Sequence, residues 1–141
     1  NGLAVGEIGV ETAVAGQFGV PLLMVTADSA GVEEAKRLGP NAVGISVKKS
    51  LGENAAICYP PDATAQWIRE AAKKAALEPP KAAPFRTEGP AVLEVQLKPG
   101  AFWDRISKKY PAYAGDHAIV IQKGTVLEAY ALYWEMKLAC Q

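Results

Sequence analysis

Two short apolar runs, each preceded by a helix-like segment, limit what this chain can fold into. Val20 to Thr26, VPLLMVT, is continuously apolar and bounded by Gly19 and Asp28. Such a run suits a buried strand in a parallel or mixed sheet covered on both faces. Pro21 is compatible only with its start. Residues 6–18 place apolar and small side chains at Ile8, Val10, Ala13, Val14 and Phe18, and read as a helix that stops at Gly19. Gly9 and Gly16 inside it each cost about 1 kcal/mol against alanine, so a neighbouring backbone is expected to pack closely there. Asp28 and Ser29 are natural N-caps for a second helix over 29–38, which Gly39–Pro40 ends. Ala42 to Val47 predicts a second strand running into Lys48–Lys49. Helix, strand, helix, strand with short loops is the alternation of an α/β fold, here expected as a layered α/β/α part with a mixed sheet.

Beyond Ser50 the signals change. Ser50 to Tyr59 reads as a short helix or turn. Pro60–Pro61–Asp62 opens a helix over about 63–77, with Trp67, Ile68, Ala71, Ala72 and Ala75 as its apolar face. Residues 78–90, rich in Pro, Lys and Ala, read as a connector. Ala91 to Leu97 alternates Val92, Glu94 and Gln96 with Leu93, Val95 and Leu97, the pattern of a half-exposed strand. A short helix with Phe102, Trp103 and Ile106 and a strand over 118–122 follow. Thr125-Val126-Leu127-Glu128 has the form of a capping box. It opens a last helix to about Ala139, whose apolar face is expected from Leu127, Tyr130, Ala131, Trp134 and Leu138. The expected organisation is 1–77 as part of a catalytic α/β domain, 78–90 as connector and 91–141 as a smaller α+β subdomain that mediates oligomerisation.

Composition narrows the function. The formal net charge is zero, so nothing favours nucleic acid or an anionic membrane as partner. No apolar run approaches the roughly 20 residues of a membrane span. Cys58 and Cys140 lie far apart, without C-x-x-C spacing. They are expected to be reduced, mostly buried thiols of a cytoplasmic protein. No nucleophile elbow, phosphate loop or dinucleotide fingerprint is present. The single histidine, His117, cannot make a zinc site with two distant cysteines and scattered carboxylates, and a structural or surface role is expected for it. Asp28 and Lys48 each follow the end of an expected strand, where ligands gather in open α/β sheets. Glu7 opens the first helix. The helix dipole accounts for it, and so would a cation. Glu11, one turn on, would repel it mildly unless something cationic held both.

The stretch NGLAVGEIGVETAVAGQFGVPLLMVTAD resembles a segment of the zinc-dependent D-aminopeptidases of the DppA type, peptidase family M55, in its N-G-x-x-x-G-E element, the spacing of Ala15-Gly16 and Val20-Pro21 and its closing Asp. The similarity continues through VKKSLGENAAICYPP and the final LEAY, and covers essentially the whole chain but only the family's C-terminal half. The resemblance implies that Glu7 binds zinc. It also implies that the remaining ligands, an Asp-x-Glu motif and two His-bearing segments, and a catalytic His lie in an N-terminal half. Two departures stand out: Ala27–Asp28 replaces the usual Gly-Asp, and Glu11 replaces a common Asn.

The expectation is therefore the C-terminal chain of a zinc aminopeptidase or amidohydrolase with two zinc ions. An N-terminal chain of the same precursor would complete it by cleavage before Asn1. Its substrate would be a small peptide or amide, and its assembly a ring-like homo-oligomer. Asn1, Asp28 and Lys48 are candidates for contacts around the metal or substrate. The alternative is a non-catalytic assembly module with the same fold.

Overall fold

The computed structural model describes residues 1–141. In chain order the elements are α1 (Glu7–Gln17), β1 (Met24–Asp28), α2 (Ser29–Leu38), β2 (Val43–Gly52), β3 (Ala55–Cys58), α3 (Pro61–Leu77), β4 (Ala91–Gln96), α4 (Ala101–Lys109), β5 (Ala118–Lys123) and α5 (Val126–Leu138). They form two compact units, residues 4–86 and residues 1–3 with 87–141. The first is α/β with a mixed sheet and the second a smaller α+β unit, the expected class.

In the first unit β2 lies between β1, which it pairs in parallel, and β3, which it pairs antiparallel. The ladder runs from Met24 opposite Val43 to Asp28 opposite Lys48. β1 therefore starts four residues later than the apolar run, because its partner strand begins only at Val43. β2 is longer than expected and continues past Lys48 to Gly52, returning through β3 as a hairpin. The segment 50–59, expected as helix or turn, is thus mostly strand. Every residue of β3 is exposed, so no burial pattern announced it.

Helices α2 and α3 pack on β1 and β2, and α1 packs on α2. Gly44 lets α2 approach β2: a Cβ there would lie 2.5 Å from Val32 Cγ1. Gly16 meets the backbone expected of an interior glycine, since a Cβ would fall 1.7 Å from the Phe85 carbonyl oxygen. Gly9 is different, its neighbours being the side chains of Val5 and Glu34. Asn41 Nδ2 donates to the Lys81 carbonyl at 2.5 Å. Segment 78–90 is therefore not a uniform connector, for its residues up to Arg86 pack with the first unit. The buried apolar side chains of this unit are Ala13, Val32, Ala35, Ala42 and Ala75, a core of small residues.

The second unit holds the large buried side chains, Ile106, Ile119, Ile121 and Met136. β4 and β5 pair antiparallel, with Leu93 opposite Ile121 and Val95 opposite Ile119. This puts the inward residues of the β4 alternation on the core. Thr125 and Glu128 form the expected capping box. At the other end of α5, Arg105 Nε donates to the Cys140 carbonyl at 2.8 Å and Lys109 Nζ to the Ala139 carbonyl at 3.0 Å. These cations match the negative end of the helix dipole. The buried residues of α5 are Ala129 and Met136, with Leu132 and Tyr133 packed beside them. This face is opposite the expected one, and Trp134 and Leu138 are exposed. Cys140 is buried, but Cys58 is exposed, contrary to expectation. No helix is long and apolar enough to cross a membrane.

Candidate metal centre

The first turn of α1 is built by residues distant in sequence. Gly6 is its N-cap and has no side chain to serve the free N–H groups that every helix start exposes. Glu34, on α2, serves them instead. Its Oε1 accepts from the Gly6 amide at 2.7 Å and from the Gly9 amide at 3.0 Å. A Cβ on Gly6 would stand 2.8 Å from Glu34 Oε2, and one on Gly9 would stand 2.9 Å from Oε1. Gly6 is thus the clearance for that carboxylate, while at Gly9 the clearance is shared with Val5, whose Cβ would be 2.5 Å away. Ile8 anchors the same turn, its Cδ1 lying 3.1 Å from where a Cβ on Gly31 would be.

Between these two anchors sits Glu7, the first helical residue. Its side chain is exposed and forms no hydrogen bond or ion pair within the chain. The buried residues of α1 are Gly9, Thr12, Ala13 and Gly16, whereas Glu11, one turn beyond Glu7, is exposed. A carboxylate is a proper zinc ligand, and an unengaged one on a fixed helix start fits one position of such a centre. The chain does not offer the rest: it contains no group of three or more His, Cys, Asp or Glu side chains able to hold an ion.

Asp28 and Lys48 meet at the carboxyl end of β1, as register partners. Asp28 caps α2 by accepting from the Gly31 amide at 2.8 Å, and its second oxygen accepts from Ser50 Oγ. The Ser50 hydrogen bond, then the Gly31 amide, hold its carboxyl below the ordinary 3.8; partial burial opposes them, and Lys48 and the Ala30 amide add to the lowering. The charged form is therefore favoured by folding. Its contribution to stability is fully present above about pH 3.8 and is lost as the pH falls through the lowered folded value. Ser50→Ala is expected to move the Asp28 midpoint back up toward 3.8. Carbon-13 NMR titration of the carboxyl would read it.

Asn1 belongs to the other unit. Its Oδ1 accepts from the Val92 amide at 2.7 Å, and its Nδ2 donates to the carbonyls of Glu88 and Pro90 at 3.0 and 3.3 Å. These bonds fix the turn into β4 and occupy its amide. His117 is exposed, has a φ of 50°, and lies with its ring 5.2 Å from that of Trp103. Sequence reasoning overlooked Glu34 and Ser50. Glu34 stands in an ordinary solvated helix pattern, and Ser50 in a segment read as a short helix or turn. Only the tertiary pairing gives either a partner.

Comparison with known proteins gives the family. The family model of peptidase M55, described as D-aminopeptidase, matches residues 1–133. The chain belongs to the M55 family. The D-aminopeptidase of Bacillus subtilis (strain 168) is 29% identical over 132 residues, 92% of this chain and 48% of that protein. Among solved structures, the Zn-dependent D-aminopeptidase DppA from Bacillus subtilis, a self-compartmentalizing protease, is similar with a TM-score of 0.86 and 26% identity, over 99% of this chain and 52% of that one. The M55 chain spans about half the length of these relatives.

Proposed function

We propose that this chain is the C-terminal part of a zinc-dependent aminopeptidase and that Glu7 is its contribution to the metal centre. The observation that carries the reading is the exposed, unengaged Glu7 carboxylate at a helix start pinned on both sides, in a chain matched to M55 over residues 1–133. The other ligands come from an N-terminal part of the same precursor, and the centre holds two zinc ions. Bound zinc supplies Lewis acidity toward a peptide carbonyl and toward water. Within the chain, α1 aims Glu7, while Asp28 and Lys48 close the carboxyl end of the β1–β2 ladder. The substrate is a small peptide or amide with a free amino end.

Two features of the first unit support completion by further polypeptide. β1 is apolar, yet one of its edges has no strand beside it in this chain, and natural proteins rarely leave such an edge open. Phe18, Val20, Leu51 and Ile57 are also more than half exposed, apolar surface that further polypeptide would cover. The deciding experiment is metal analysis of the intact protein and its Glu7→Ala variant. Zinc lost from the variant, with the assembly retained, supports the reading; unchanged zinc content removes it.

The ring-like homo-oligomer is part of the same proposal, with the exposed α5 face as its contact. Trp134 stacks edge-on with Tyr130 at 6.1 Å, lies under Lys137 Nζ at 4.0 Å and adjoins the 62% exposed Leu138. Leu138→Asp is expected to reduce the assembly to smaller species in sedimentation velocity, with the protomer still folded. The exposed thiol of Cys58 fits a reducing cytoplasm. A second reading, a non-catalytic assembly module, is favoured by the lack of a complete ligand group in the chain. A co-purifying polypeptide with Asp-x-Glu and His motifs would exclude it.

A further inference from the structure

We propose that Glu34 is a positioning residue for Glu7, holding the first turn of α1 so that the Glu7 carboxylate is presented in one direction. The proposal rests on the reading of Glu7 as a zinc ligand. Helix starts are ordinarily capped by a side chain at the N-cap position itself. Gly6 cannot do this, and the cap comes from a residue 28 positions away on another helix. One oxygen of Glu34 takes both the N-cap amide and the Gly9 amide, at 2.7 and 3.0 Å. Bonds from amides to an ionised carboxylate are roughly twice as strong as neutral ones. Glu7 lies between those two amides in sequence, so its backbone cannot turn without breaking one of them.

The alternative, that Glu34 simply stabilises α1, accounts for the hydrogen bonds but less well for the glycines. A local cap such as Ser or Asp at position 6 would satisfy the Gly9 amide with no remote partner, but not the amide of residue 6 itself, which Glu34 also takes. The chain instead keeps glycine at 6, where a Cβ would stand 2.8 Å from Glu34 Oε2, and at 9, where it would meet Val5 Cβ at 2.5 Å and Glu34 Oε1 at 2.9 Å. The arrangement ties the start of α1 to α2, and α2 is itself capped by Asp28 at the end of β1. Glu7 is thereby referenced to the sheet through two caps in series. Ligands held this way lose little freedom on binding.

The test is zinc affinity of the intact protein, by competition with a chromophoric chelator, alongside the thermal midpoint of the zinc-free form. Glu34→Ala is expected to weaken zinc binding by about 10–100-fold, the range for partners that orient a metal ligand. Glu34→Gln keeps an oxygen in the same place and is expected to restore most of the affinity. Thr125→Ala, which removes the cap of α5 in the other unit, controls for general destabilisation: it should lower the midpoint and leave zinc affinity unchanged. If Glu34→Ala does not fold, Glu34→Asp carries the same test, because its charge is kept while its reach is one methylene short.

Wild-type affinity in Glu34→Ala or Glu34→Asp, with Glu7→Ala still losing zinc, overturns the positioning role and leaves the Glu7 reading standing. Zinc retained by Glu7→Ala overturns both. A visible spectrum of the cobalt-substituted protein that changes in Glu34→Asp and returns to the wild-type shape in Glu34→Gln supports the proposal independently of activity; identical spectra in all three count against it.

Discussion

Alanine in place of Gly16 is expected to destabilise the first unit by about 2 kcal/mol or more, against the sign that helix propensity alone gives. In an open helix the exchange would be favourable by about 1 kcal/mol. Here the new Cβ would lie 1.7 Å from the Phe85 carbonyl oxygen, 2.7 Å from its carbon and 3.2 Å from the Phe85 nitrogen. All three are backbone atoms, so no rotamer change relieves the clash; either α1 or the segment at 85 must move. Overpacking in a closed site costs about 1–3 kcal/mol and sometimes more, and the contact distance places this site at the upper end. Moving the segment at 85 would also disturb a first unit whose buried apolar residues are mostly alanines, with little large-side-chain burial in reserve. Gly52→Ala is the matched control, since a Cβ there meets nothing within 4 Å. Urea unfolding of the two variants decides the matter, and equal midpoints would mean that the α1–Phe85 contact is looser than the structure has it.

The contrast between Gly16 and Glu34 shows which parts of this fold were legible in the chain. Two interior glycines in α1 announced a close neighbour, and Phe85 is that neighbour for Gly16. Gly9, by the same logic, was expected to meet backbone and instead makes room for the side chains of Val5 and Glu34. A glycine reports that space is needed, not what fills it. Asp28 could be read as an N-cap because the bond to Gly31 spans three residues. The capping box at Thr125 and Glu128 and the alternation of β4 are equally local.

What failed was non-local or degenerate. The α5 face was misassigned because Leu127, Tyr130, Ala131, Trp134 and Leu138 are as apolar as Val126, Ala129, Leu132, Tyr133 and Met136 on the other side. Periodicity has no grounds for choosing between two apolar faces; the β4–β5 pair made the choice. β3 was missed because its stability comes from the ladder with β2 and not from burial. The start of β1 was placed too early because an apolar run marks what can be a strand, while the partner decides where pairing begins. In the candidate site, Glu7 was a candidate through its motif, but Glu34 was not, since 28 and 25 residues separate it from the two amides it caps.

On the proposed reading of Glu7 as a zinc ligand in a zinc aminopeptidase, removing its carboxylate is expected to separate two properties that usually change together, metal binding and the stability of the zinc-free fold. The side chain is exposed and has no partner in the chain, so its loss uncovers no buried polar group. The only intrinsic contribution forfeited is its favourable placement at a helix start, about 0.3–1 kcal/mol. The zinc-free thermal midpoint of Glu7→Ala should therefore stay close to that of the parent. Zinc affinity should fall by more than about 100-fold, beyond the range seen when only an orienting partner is lost. By linkage, a 100-fold weaker site gives up about 2.7 kcal/mol of zinc-dependent stabilisation at a fixed high zinc concentration. The parent and variant should thus coincide without zinc and diverge with it, and aminopeptidase activity should follow the zinc-bound fraction. Glu7→Gln sharpens the test: it keeps the length and the helix start, removes the charge, and is expected to behave like alanine toward zinc. If both variants gain as much thermal stability from zinc as the parent, the carboxylate at the head of α1 serves the helix alone and the metal is held elsewhere.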